Sequence, residues 1–219
     1  MNEFVVHSIP GSPFGRAVFV VLEEKSVPYR LVPVAPGSMR QPEHLALHPF
    51  GRVPVLAHED LRLYETQAIL RYIDRVLPHP ALTPRSARLA AKMDQLMNIN
   101  DWYLFHGVGN VIAFQRVVAP RLLGLPADEA AIAAVIPTAK VVFSELSRQL
   151  GQNSYFTGDS LSLADILLAP QLDFVKETPE WQLLIGGNTN LCDWLDRMNG
   201  RASMKATTWE RIADMAQAA

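Results

Sequence analysis

The chain has 219 residues, 49% hydrophobic, 19% charged and 8% aromatic, enough apolar material for one or two domains with full cores, which excludes disorder as its main state. The formal net charge is −2, with 8 basic and 8 acidic residues up to Leu77 and 12 and 14 beyond it, so neither half carries the basic excess of a nucleic-acid binder. The single Cys192 excludes an internal disulfide and any paired-cysteine redox or metal motif.

The chain opens Met1-Asn2-Glu3, without the basic-then-apolar order of a secretory signal, and the expectation is a cytoplasmic protein. Phe4 to His7 reads as a short strand, and Pro13, following Ser12, opens a helix through Ala17, Val18, Val21 and Leu22. Val27 to Val34 reads as a second strand, and Gln41 to Leu47 as a short helix stopped before Pro49. Val53 to His58 and Leu61 to Tyr64, parted by Glu59-Asp60, read as a hairpin, and Thr66 to Leu77 has helical spacing at Ile69, Tyr72, Ile73 and Val76. The order is β-α-β-α-β-β-α.

Three prolines between Pro78 and Pro84 mark a linker over 78–85. Beyond it the texture is helix after helix: Ser86 into the Asn110 region, Asp128 to Leu150 with a kink at Pro137, and Asn190 to Asn199. The longest apolar run, Ala130 to Ile136, falls short of the roughly 20 residues of a membrane span, so no membrane partner is expected. Ser162 and Asp165 have the spacing of a capping box with Asp at the third position. The Ala-rich tail beyond Trp209 is expected to fray. These readings place an α/β domain at 1–77 and an all-helical domain at 86–219.

Several chemistries lack their carriers. The six histidines form no HExxH or HxH pattern, so no metal is expected, and there is no GxGxxG, GxxxxGK[ST] or GxSxG. Pro54 sits at an apparent strand start, where its missing N–H weakens a ladder. About 5–6% of X–Pro bonds are cis, so the residues alone favour trans.

Four segments change that reading: Ser12-Pro13-Phe14-Gly15-Arg16-Ala17-Val18; Pro49-Phe50-Gly51-Arg52-Val53-Pro54-Val55-Leu56; Tyr64-Glu65-Thr66-Gln67-Ala68-Ile69; and Gly158-Asp159-Ser160-Leu161-Ser162-Leu163-Ala164-Asp165. Together, in this order, they resemble a cytosolic glutathione transferase over residues 4 to about 205. The resemblance is to the serine-type, theta/phi-like bacterial members. It implies a thioredoxin-like N-terminal domain and a C-terminal helical bundle, a cis proline at Pro54, a homodimer, glutathione as cosubstrate, and conjugation to a hydrophobic electrophile, the chemistry of detoxification.

Carried over to this chain, the resemblance makes Ser12 the hydroxyl that stabilises the glutathione thiolate, with Ser8 as rival. Val53 would pair through its backbone with the cysteinyl part of the tripeptide. Thr66 would hold the γ-glutamyl carboxylate at a helix start while Glu65 faces its ammonium, and Arg40 and Arg52 lie where the glycyl carboxylate is expected. Asp101, with Asp94 as alternative, corresponds to a carboxylate sent to the glutathione of the neighbouring subunit. Phe14, Trp102, Tyr103 and His106 are candidates for the electrophile site, with Phe105, Phe114 and Trp209 as further aromatics, although such residues at helical spacing also build cores. Phe50 matches an aromatic that inserts into a partner subunit, and it could equally be core. Glutathione-dependent peroxidase, reductase or dehalogenase activity, and a non-catalytic binding role, remain alternatives.

Overall fold

In the computed structural model, residues 3–35 and 37–218 are described. They divide into two compact units, one of residues up to Leu82 together with Arg201 onward, the other Thr83–Gly200.

In the first unit, β1 (Phe4–Ser8) alternates buried and half-buried positions, as a strand covered on one face requires. β2 (Tyr29–Pro33) pairs with it in parallel, from Phe4↔Tyr29 to Ser8↔Pro33. β3 (Val55–His58) runs antiparallel to β1, and β4 (Leu61–Tyr64) closes the hairpin on β3, giving the order β2-β1-β3-β4. β3 starts at Val55, two residues later than the apolar run begins, because Pro54 has no N–H to give the ladder. Helix α1 (Pro13–Glu24), with proline in its first turn, buries every residue from Gly15 to Leu22; the short α2 (Pro42–Leu45) and α3 (Thr66–Val76) follow. α3 buries Ile69, Leu70 and Ile73 against α1. This is the β-α-β-α-β-β-α order read from the sequence.

Lys25, at the end of α1, has a fully buried side chain. Its ammonium donates to Asp74 Oδ1 at 2.6 Å and to the Leu77 and Pro80 carbonyls at 2.5 Å each, while the Leu82 N–H donates to the same Asp74 oxygen. All three ammonium hydrogens are therefore used, and the first half of the proline-rich segment is tied to this unit.

In the second unit, α4 (Ala87–Ile99) runs without a break into a π-helical stretch, Asn100–Leu123. Its buried positions are Asn100, Leu104, Val108, Ile112, Ala113, Val117 and Ala119, on a backbone whose hydrogen bonds reach five residues on instead of four. The sequence reading carried this helix only into the Asn110 region, and the helical path continues to Leu123. Helix α5 (Glu129–Leu150) runs through Pro137 as one element. At 22 residues with mean hydropathy 1.4 it is long and apolar enough to cross a membrane by length and composition alone, a test that the core helix of a globular protein also passes. Ile132, Val142, Phe143 and Leu146 nevertheless pack into the core of this unit, and Lys140, Glu145 and Arg148 lie along its length.

Helix α6 (Leu163–Lys176), nearly all buried, begins at the capping box, and α7 (Trp181–Ile185) and α8 (Thr189–Asn199) complete the unit. Asp165, wholly buried, accepts from the Ser162 N–H and hydroxyl, the Phe156 N–H and the Trp194 indole, at 2.6–3.0 Å.

The tail differs from its reading as a fraying end of the helical domain. α9 (Ala202–Ala206) and α10 (Trp209–Ala218) belong to the first unit, α9 packing on α1 and α10 on β2. Arg201 forks onto both Glu24 oxygens at 2.7 and 2.8 Å, the Ser203 hydroxyl donates to Glu24 as well, and Arg16 donates to the Met204 carbonyl at 3.2 Å. These partners are up to 188 residues apart in sequence, which is why local pattern did not reveal the packing.

Candidate active site

The registers His7↔Val55 and Val55↔Tyr64, with Ser8↔Pro33, bring the ends of β1, β2 and β4 and the start of β3 to one end of the sheet. Four connecting segments leave there: the turn to Ser12, the loop through Arg40, the Val53–Pro54 approach to β3, and Glu65-Thr66.

Ser12 is the N-cap of α1, buried, with φ −79° and ψ 113°. Its Oγ accepts the Gly15 N–H at 3.1 Å. Capping uses a lone pair and leaves the hydroxyl proton to donate, so a cap and a donor coexist in one group. Ser8 is fully buried, and a Cβ on Gly15 would lie 2.0 Å from its Oγ. The rival hydroxyl is thus enclosed between β1 and α1, and Gly15 is what lets the two elements approach.

The Val53–Pro54 bond is cis. Val53 lies beyond the last register pair of β1 with β3, so its peptide groups stand outside the ladder. The carbonyl of the preceding Arg52 receives a hydrogen bond from His44 Nε2 at 2.8 Å, which requires the proton on that nitrogen. His44 is buried on α2; nothing in Glu43-His44-Leu45 marked it as a residue that holds this loop.

Glu65, the residue before α3, has φ 69° and ψ 111°, a left-handed conformation for a residue other than glycine, and no side-chain cap. Such a conformation costs about 1–3 kcal/mol. The first intrahelical donor is Ile69, bonded to the Glu65 carbonyl, so the N–H groups of Thr66, Gln67 and Ala68 precede it at the positive end of the helix. Thr66 is buried and Glu65 exposed. Arg40, Pro49, Phe50, Arg52 and Glu65 line a surface cavity of about 440 Å³. Two guanidinium groups and one carboxylate facing one space complement a zwitterionic peptide with excess carboxylate. Ser12, Val53 and Thr66 are outside this lining.

His48 is buried beneath this rim, its ring 4.7 Å from Tyr64 and 6.1 Å from Phe50. Burial, then the charges of His44 and Arg52, hold its pKa below the usual value, so it is a neutral imidazole at neutral pH. Phe50 is 61% exposed, so the reading of it as core is corrected. Phe14 is half-buried in the first turn of α1.

The remaining candidates lie in the helical unit. Asp101 Oδ1 accepts from Asn100 at 3.0 Å. Trp102 and Tyr103 are 69% and 61% exposed, and His106 stacks on Trp102 at 6.0 Å. Asp101, Trp102 and Tyr103 are consecutive in the π-helical stretch, with His106 a turn on.

An N-capped serine, a cis proline and a strained helix start thus meet at one end of the sheet of a thioredoxin-like domain. Residues 11–76 match the model of the glutathione S-transferase N-terminal domain, and residues 111–202 that of the C-terminal domain. Glutathione S-transferase F10 of Arabidopsis thaliana is 32% identical over 87% of this chain and 89% of its own, and glutathione S-transferase 3 of Zea mays 34% over 94% of each. The solved structure of glutathione S-transferase III in its apo form superposes with a TM-score of 0.83 at 30% identity, covering 94% of this chain and 95% of that one. Glutathione S-transferase I bound with lactoylglutathione gives 0.80 at 25% identity, over 98% and 99%. The chain belongs to the cytosolic glutathione S-transferase family. These sequence relatives are plant proteins, not the bacterial members expected from the motifs.

Proposed function

We propose that this protein conjugates glutathione to a hydrophobic electrophile as a serine-type, phi-like glutathione transferase, with Ser12 as the group that stabilises the thiolate. The observation that carries this reading is the meeting, at one end of the sheet, of the Ser12 helix cap, the cis Val53–Pro54 segment and the Glu65-Thr66 helix start. In this reading the cysteinyl backbone pairs with Val53, the γ-glutamyl carboxylate meets Thr66 and its ammonium Glu65, and the glycyl carboxylate meets Arg52 and Arg40. Asp101 is assigned to the glutathione of a second subunit in a homodimer, and Trp102, Tyr103 and His106, with Phe14, to the electrophile. The setting is cytoplasmic.

The energetics suffice. Lowering a thiol pKa from about 8.5 to about 6.5 requires roughly 2.7 kcal/mol of preference for the thiolate. A hydrogen bond to a charged group supplies about 1.5–3 kcal/mol and a helix N-terminus about 0.3–1. The thiol proton leaves to solvent on binding, the sulfur lone pair forms the S–C bond, and the displaced electron pair departs with the leaving group or stays on the electrophile.

The test is steady-state conjugation of an aryl halide. Ser12→Ala is expected to lower kcat/KM by about 10²-fold, the scale of losing one charge-stabilising donor, with glutathione binding little changed. An unchanged kcat/KM would remove Ser12 from the chemistry.

A further inference from the structure

The turn that delivers Ser12 is built from both ends of the chain. Ile9-Pro10-Gly11-Ser12 is closed by the Ser12 N–H donating to the Ile9 carbonyl at 3.2 Å. Gly11 has φ 83°, so the turn has the Pro-Gly order and the left-handed third residue of a type II turn. Against Gly11 lies the ring of Trp209: a Cβ built there would sit 2.4 Å from Trp209 Cη2 and Cζ3 and 2.8 Å from Cε3. The indole is therefore in full contact with the backbone immediately before Ser12.

Trp209 is itself held. It opens α10, where Thr208 receives the Ile212 N–H on its carbonyl at 3.0 Å and the Arg211 N–H on its hydroxyl at 3.3 Å. The preceding α9 is tied to α1 by Arg16, four residues after Ser12, and by Arg201 and Ser203 on Glu24. The tail thus contacts the segment on both sides of the serine, at Gly11 before it and at Arg16 after it. A hydroxyl cap that also donates to a thiolate must hold its rotamer with an ångström-scale tolerance, and the turn preceding it is where such tolerance is lost.

We infer that Trp209 is a positioning residue for the reaction: by packing on Gly11 it fixes the turn that aims the Ser12 hydroxyl at the thiol. This rests on the role proposed above for Ser12.

The experiment is a pH titration of the thiolate absorbance of glutathione bound to the full chain and to Trp209→Ala, Trp209→Phe and Ser12→Ala, with glutathione Kd and thermal midpoint measured for each. Trp209→Ala is expected to raise the bound thiol pKa by roughly half to one unit, a three- to tenfold loss of thiolate at the acid side, with Kd within about threefold. Trp209→Phe, which keeps a ring on Gly11, should restore most of the shift. A bound-thiol pKa that Ser12→Ala raises and Trp209→Ala leaves in place would overturn the inference while keeping the serine, as would a Phe variant with restored midpoint and unrestored pKa. No movement in Ser12→Ala would remove the serine role and this inference with it.

Discussion

Three helix starts in this molecule carry hydroxyl or carboxylate residues at their openings, and they end in opposite states. At α6 the Ser162–Asp165 box is closed: four donors converge on one wholly buried carboxylate. At α1 and α3 the accounts are left open. Ser12 accepts one N–H and keeps its proton, and Glu65 sits at φ 69° with no side-chain cap. A fully satisfied polar cluster stabilises a fold; an incompletely used or strained one, at the end of a rigid sheet, is where a ligand supplies the missing partner.

Breaking the closed cluster has the largest expected effect. Asp165→Ala strands the Trp194 indole, the Phe156 and Ser162 N–H groups and a hydroxyl in the core, and should cost about 3–5 kcal/mol in urea unfolding. The conjugating activity of the molecules that remain folded should be unaffected. A loss below about 1 kcal/mol would mean that this box is not a structural keystone.

The tail anchor comes next. Arg201→Ala removes a fork onto a mostly buried Glu24, with side-chain exposures of 28% and 11%, and should cost about 1–2 kcal/mol. Burial pushes the Glu24 carboxyl up, but the Arg201 and Ser203 hydrogen bonds outweigh it and hold the pKa below 4.5. The carboxylate therefore adds stability that is present above pH 4.5 and lost as pH falls through the lowered folded value. Thermal midpoints of Arg201→Ala and the parent chain should converge as pH falls below that range; a gap that stays constant would contradict the assignment.

The smallest effect has the opposite sign. Glu65→Gly relieves the left-handed strain, set against the greater freedom glycine gives the unfolded chain. The unfolding free energy should hold or rise by up to about 1 kcal/mol while KM for glutathione increases several-fold. Lower stability with unchanged KM would mean that the strain serves the fold and not the ligand.

Much of this contrast was legible in the sequence. Pro13 after Ser12, the 59–60 break between two apolar runs, and the Ser162/Asp165 spacing are local signals, and each became the element they predicted. The cis Pro54 was readable only through its neighbours in a family pattern. What escaped notice was set by non-local contact or by an unusual period. The tail docks through Arg201, Met204 and Trp209 on residues far earlier in the chain, His44 gives no sign of burial in its own short helix, and the π-helical stretch follows a hydrogen-bond pattern that an α-helical template does not describe. Phe50 shows the converse: an aromatic in an apolar context, yet exposed.

The most direct measurement is a crystal structure with glutathione bound. The tripeptide should lie with its cysteinyl backbone paired to Val53 and its sulfur about 3–3.5 Å from Ser12 Oγ. A sulfur out of reach of that oxygen, or a tripeptide seated away from Glu65 and Thr66, would contradict the account.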